Sequence, residues 1–419
     1  MPAETSLPSA RWVGGKVLLS LSAVLVVVGG LHLICPDRSE NWKSVHLAGS
    51  LNYCYSVDSS EYVRLVVMFP AGFKPYPMRV LRPLYPALGF LVYQPLRALQ
   101  PFLPGKICRQ AADAMAAGGG DAAWKGVAVQ DMVLAWAALI LVNFALYLGA
   151  LLLVFLSLRR LFTPHVALLL AMLPALHRDT LSFLLVPTTE PFNLLLPAIF
   201  LYTATLLWPK QRTGAIPALL LGVGMLGKGT VYTFANWLYE HLWIRDWHKQ
   251  WRSALLCGSL FVAPGLAYLA LLCAAHVPRY NREVVRYRQF VWMIDYCREG
   301  RVYEIPWRWL SGLGEHVSWA MVDWAVPLVI CAFLALRKDV RRFALDYDLK
   351  RHLAVYVVCS AAFWVLGSVP CHRLDVCYYP AVVVLFGALA MRKLARPSAC
   401  LWLGLLAQAT VVAVTNALS

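Results

Sequence analysis

The chain has 419 residues, 60% hydrophobic and 14% charged, with a mean hydropathy of +0.60. Soluble domains carry about 25% charged residues, so the composition excludes an ordinary soluble globular protein and predicts an all-α polytopic membrane protein. The formal net charge of +16 would suggest nucleic acid in a soluble protein. Here many basic residues lie in short connections between apolar runs, where positive-inside bias and anionic lipid explain them, and no nucleic-acid partner is expected.

About 20 apolar residues cross a bilayer as a helix. Spans by that measure fall near 16–34, 131–158, 163–177, 190–208, 214–228, 230–244, 254–275, 317–336, 351–369, 374–391 and 398–416, about eleven in all within a range of roughly nine to twelve. Those at 163–177, 214–228 and 230–244 are short, as tilted, broken or re-entrant segments would be. Arg11 and Lys16 precede the first run. That run is long for a signal sequence and no small-residue cleavage site follows it, so it reads as a retained span.

With the N-terminus in the cytoplasm, the inner connections hold Arg159 and Arg160, Lys210 and Arg212, Arg245, Lys249 and Arg252, Arg337 to Arg351, and Arg392, Lys393 and Arg396. The short outer ones hold only Arg178, Lys228 and Arg373, as the positive-inside rule predicts. The whole chain, 1–419, reads as one integral-membrane unit with two long outer loops, 35–130 and 276–316. Cys257, Cys273, Cys331, Cys359 and Cys400 fall in apolar spans, and the eleven cysteines show no zinc spacing.

The first loop, about 95 residues, is too long for a plain linker. It carries Tyr55-Ser-Val-Asp-Ser-Ser-Glu-Tyr62, in which Asp58 and Glu61 stand three apart and share one face of a helix. A short helix is expected from Ser59 to Met68. Arg79-Val-Leu-Arg82-Pro follows, then an apolar, aromatic stretch with prolines at 83, 86, 95, 101 and 104, expected to form one or two amphipathic interfacial helices on the membrane. The second loop, 276–316, holds seven arginines and is expected to cover the outer face.

The outer connections also carry His177-Arg178-Asp179 and Pro187-Thr-Thr-Glu190-Pro191, then Lys228, then Cys371-His372-Arg373-Leu-Asp375. Ionisable groups at the apolar boundary are costly and are functional candidates by default. Each has a plainer explanation: Arg79 and Arg82 snorkelling to headgroups, Arg178 with Asp179 as a local ion pair, Glu190 at the start of the helix opened by Pro191, Lys228 as an interface anchor, His372 and Arg373 as boundary charges, Asp58 and Glu61 on an exposed helix. Their shared outer face is what favours a common site. Gly222-Val-Gly-Met-Leu-Gly227-Lys228 imitates a phosphate-binding loop, but Gly229 stands where Ser or Thr should hold magnesium and no strand precedes it. These glycines are expected to allow close helix packing instead.

Asp58 with Glu61 and Tyr62, the Arg79–Arg82 segment, Thr189-Glu190-Pro191, Lys228, and His372-Arg373 followed by Tyr378, Tyr379 and Pro380 resemble the GT-C superfamily of integral-membrane glycosyltransferases. The polyprenyl-phosphate-mannose-dependent enzymes of bacteria are nearest. The resemblance implies an inverting transferase at the outer face of a bacterial inner or plasma membrane. It would move a sugar, mannose in the nearest members, from a polyprenyl-phosphate donor to a lipid, glycan or protein hydroxyl. The spacing is Asp-x-x-Glu rather than adjacent acids or Asp-x-Asp, which leaves both acids as candidates for the base.

The residues suit that chemistry. A carboxylate, Asp58, takes the acceptor proton, with Glu61 orienting the acceptor or tuning Asp58. Arg79, Arg82, Lys228, His372 and Arg373 are candidates to meet the departing phosphate, and Arg178, Asp179 and Glu190 to shape the sugar pocket. No cofactor or metal is required, since Arg and Lys neutralise a lipid monophosphate, although a divalent cation is compatible with the site. The competing class is a transporter or lipid flippase whose path the outer ionisable cluster lines; it predicts charges near mid-span and on both sides of the bilayer.

Overall fold

The computed structural model describes residues 10–34, 43–48, 51–55, 57–71, 82–106, 108–109, 128–207, 215–228, 247–277, 291–338, 343–366 and 376–418. The described chain is mostly helical. Its principal helices are α1 (Ala10–Ile34), α2 (Val57–Val67), α3 (Leu84–Leu96), α4 (Val129–Leu158), α5 (Pro164–Met172), α6 (Arg178–Phe183), α7 (Pro191–Tyr202), α8 (Ala215–Met225), α9 (Trp247–Ala274), α10 (Trp292–Arg298), α11 (Ile305–Asp323), α12 (Ala325–Leu336), α13 (Tyr347–Leu366), α14 (Tyr379–Lys393) and α15 (Pro397–Leu418). One antiparallel hairpin, β1 (Lys43–Ala48) with β2 (Leu51–Tyr55), leads into α2.

Among the described residues five helical segments are long and apolar enough to cross a membrane: Gly14–Leu31, Val129–Leu158, Trp251–Ala274, Val376–Lys393 and Pro397–Val414. The bent pair Val302–Asp323 and Ala325–Leu336 makes a sixth if it counts as one span. That is the build of a membrane protein. Three further expected spans appear as the shorter apolar helices Pro164–Leu176, Pro191–Thr205 and Ala215–Met225, while 230–244 lies outside the described residues.

The span expected at 317–336 is not one straight helix. It turns by 85° at Trp324, whose backbone leaves helical geometry (φ −106°, ψ 16°). Pro327 is the cause. A helical residue donates its N–H to the carbonyl four places back, here Asp323, and proline has none. The Nε2 amide of Gln408 on α15 supplies the missing donor to the Asp323 carbonyl, at 2.9 Å.

Two apolar clusters hold the fold. The larger joins α1, α4, α5, α7 and α12 to α15. The smaller joins α2, α3, α4 and α7 and includes Leu221 of α8 and Phe261 of α9. Helices α4 and α7 contribute to both and pack against each other. Leu255, Leu256 and Leu271 on α9 and Leu403 and Leu406 on α15 are exposed, as lipid-facing side chains are.

The glycines near Lys228 pack as expected. A Cβ on Gly222 would lie 2.3 Å from the Phe261 carbonyl oxygen, one on Gly224 2.3 Å from Leu196, and one on Gly227 2.5 Å from the Phe192 ring. Bare backbone at these positions lets α8 lie against α7 and α9.

Candidate functional site

The expected helix after the Asp58 turn is α2, and Asp58 is its second residue. Its inner face buries Ser59, Tyr62, Val63, Leu65 and Val66, while Glu61 is partly exposed. The proline-rich stretch forms α3 and a 3-10 turn, Arg97–Phe102. It is two-sided. Tyr85, Pro86, Gly89 and Tyr93 are buried, whereas Leu91, Leu99 and Phe102 are exposed. Helix α3 packs on α2 and α4. The Tyr93 hydroxyl donates to Asp131 at 2.6 Å, and burial together with that carboxylate holds it above its usual range.

At the head of α3, Arg82 Nη1 donates to Thr189 Oγ1 at 3.1 Å, and the Leu84 N–H donates to the Leu226 carbonyl at 3.2 Å. The next residue after Thr189 is Glu190, the N-cap residue of α7. Its side chain makes no cap bond to the backbone. It instead forms an ion pair with Lys228, 38 positions on, and accepts from Asn193 Nδ2 at 2.6 Å. The Thr188 hydroxyl accepts from the Glu190 N–H at 3.4 Å. The neighbours Thr189 and Glu190 thus hold two cations, Arg82 and Lys228, from distant segments at the start of one helix. Both charges of the ion pair are largely buried, with side chains 9% and 12% exposed.

A second polar cluster lies beyond it. His177 is wholly buried and caps α6, its Nδ1 accepting from the Asp179 N–H at 3.2 Å. The Asp179 carboxylate lies 4.0 Å from the same nitrogen, and Arg178 is half-buried. The His177 ring packs on Trp324, centroids 4.7 Å apart, at the α11–α12 bend. Nearby, His316 Nε2 meets the Tyr378 hydroxyl at 2.5 Å. Tyr147 on α4 is buried in the larger apolar cluster.

Of the sequence-nominated residues, the structure brings Arg82, Glu190 and Lys228 together and sets Glu61 on a helix packed against α3. Asp179 and Arg178 stand in the neighbouring cluster. Arg79, His372 and Arg373 lie outside the described residues, as does the Asp58 side chain. The segment after Arg373 is anchored at three points: Tyr378 on His316, the Cys377 carbonyl on the Tyr356 hydroxyl at 3.0 Å, and the Tyr379 hydroxyl on the Leu194 carbonyl at 3.1 Å. Among the described residues no three His, Cys, Asp or Glu side chains are grouped as a metal ion would need.

Sequence reasoning missed Asn143, Tyr147 and Tyr85. A lone asparagine in the long apolar run of α4 was the available signal, because a polar group there has to find partners.

Compared with known proteins, no family model matches the chain and no curated protein matches its sequence.

Proposed function

We propose that this protein is a GT-C-type membrane glycosyltransferase that moves a sugar from a polyprenyl-phosphate donor to a hydroxyl acceptor on a lipid, glycan or protein. The observation that carries the reading is the meeting of Arg82, Thr189, Glu190 and Lys228 at the head of α7, with Arg82 just ahead of α3, which packs on the helix that bears Asp58 and Glu61. A lipid phosphate leaving a sugar gains negative charge, and preorganised cations and helix N–H groups stabilise it. Glu190 neutralises Lys228. An arriving phosphate competes for that ammonium, and the released Glu190 carboxylate, still held by Asn193, faces the sugar. Asp58 takes the acceptor proton and Glu61 orients the hydroxyl. About eleven spans, a cytoplasmic N-terminus and an extracytoplasmic site in a bacterial membrane complete the proposal, with Arg79, His372 and Arg373 as further phosphate partners and no metal required.

The test uses purified protein in proteoliposomes with a radiolabelled polyprenyl-phosphate sugar. Asp58→Asn is expected to abolish transfer while donor binding persists, and full transfer in that variant removes Asp58 as the base. Arg82→Ala is expected to weaken donor binding; unchanged affinity counts against its phosphate role. Label that accumulates inside sealed vesicles with no new glycoside supports the transporter instead.

A further inference from the structure

Asn143 sits on α4 in a run of apolar residues and is wholly buried. A buried amide is tolerated only when its donors and acceptor are met. The Asn143 partners lie in two other segments. Its Nδ2 donates to the carbonyls of Val186 at 2.8 Å, Phe183 at 3.2 Å and Leu184 at 3.3 Å, which lead into the Thr188–Glu190 turn. Its Oδ1 accepts from the Tyr85 hydroxyl at 2.7 Å.

Tyr85 is fully buried, and Tyr62 of α2 stands edge-on to it at 5.1 Å and 88°. One turn further along α3 is Gly89, where an added Cβ would come within 2.7 Å of Val66 on α2 and 2.5 Å of Leu139 on α4. Helices α2, α3 and α4 therefore pack closely at Gly89, which couples the position of α2 to that of α3. Tyr62 is one turn past Asp58.

We propose that Asn143, acting through Tyr85, is a positioning residue that fixes the acid-bearing helix α2 against the Thr188–Glu190 turn. The proposal rests on the glycosyl-transfer reading, in which a base on α2 must meet an acceptor beside a phosphate held at that turn. A misplacement of about 1 Å between reacting groups costs on the order of a hundredfold in rate, so a brace tying both sides to one amide sets the turnover. The bland alternative is that Asn143 only supports the turn at 183–186.

The test combines hydrogen–deuterium exchange on the full chain in detergent with kinetics of Asn143→Ala and Tyr85→Phe. Tyr85→Phe removes one hydroxyl and keeps the ring contact with Tyr62, so it reports on the brace even if Asn143→Ala fails to fold. Both variants are expected to exchange faster over 57–67, although neither Asn143 nor its carbonyl partners belong to α2, while 397–418 stays as in the parent. Unchanged exchange over 57–67 in Tyr85→Phe overturns the brace. With a polyprenyl-phosphate sugar, Tyr85→Phe is expected to lower kcat by roughly 10- to 100-fold and leave the donor KM within about threefold. An unchanged kcat overturns the positioning role. A parent protein that performs no transfer counts against the glycosyl-transfer reading, and with it against a catalytic role for the brace, while the exchange result still decides whether the brace itself exists.

Discussion

Lys228 and Glu190 offer the sharpest test of the site. The perturbation is Lys228→Met, which removes the ammonium and leaves the Glu190 carboxylate with the Asn193 amide at 2.6 Å as a neutral donor. Because the two side chains are only 9% and 12% exposed, water cannot replace the lost partner. Breaking a buried pair on one side costs about 3–5 kcal/mol, since the surviving charge stays desolvated. The double variant E190Q/K228M removes both charges and keeps an amide for Asn193. It is expected to recover most of that loss, so the two single losses together exceed the double loss by well beyond the roughly 0.5 kcal/mol within which independent sites add. Reversible unfolding in mixed micelles of dodecyl maltoside and SDS measures all four corners of the cycle. Additive losses would refute the pair as a buried, mutually neutralising unit.

Gly222→Ala is expected to cost more than Gly224→Ala in the same assay. The new methyl meets the fixed Phe261 backbone in the first case and the movable end of Leu196 in the second, within an overpacking range of about 1–3 kcal/mol. Gln408→Leu leaves the Asp323 carbonyl without its donor and should destabilise by about 1–3 kcal/mol, read as a lower thermal midpoint; no shift would mean that the bend needs no outside donor. Tyr93→Phe removes the bond to Asp131. Because the folded Tyr93 hydroxyl titrates above its ordinary value of 10.0, this bond contributes fully below that pH and fades as pH rises past it. The parent should therefore lose its stability advantage over the variant only in strong alkali. An advantage that disappears at neutral pH would contradict the assignment.

Much of the architecture was legible because hydrophobicity is both the signal in the sequence and the force in the membrane. The long runs became α1, α4, α9, α14 and α15. The Asp58 helix was also visible through the spacing of its two acids, and the α3 stretch through its aromatic, apolar residues and prolines. Three features were hidden for physical reasons. The β1–β2 hairpin depends on pairing between segments such as Val45 and Tyr53, and neither strand is apolar enough to stand out in a membrane protein. The bend at Trp324 follows from Pro327, yet the donor that meets the carbonyl it frees, Gln408, lies 85 positions away. The Lys228–Glu190 contact joins segments that sequence could place on one face but not in one pair. The acids and bases were read as separate candidates because charge complementarity over 38 positions leaves no local trace. Asn143 was legible as a polar residue in an apolar run, but its role required seeing the carbonyls it serves.

The corner at Trp324 also has a history in time. The Asp323 carbonyl is made by one part of the chain and satisfied by Gln408, which is synthesised 85 positions later. Until α15 is made, that oxygen lacks its amide donor, although α12 already has α14 and α11 has α13 to pack against. The corner is therefore completed late in biogenesis. A ribosome stalled before residue 408 would leave the corner behind His177 without the donor that meets its Asp323 carbonyl.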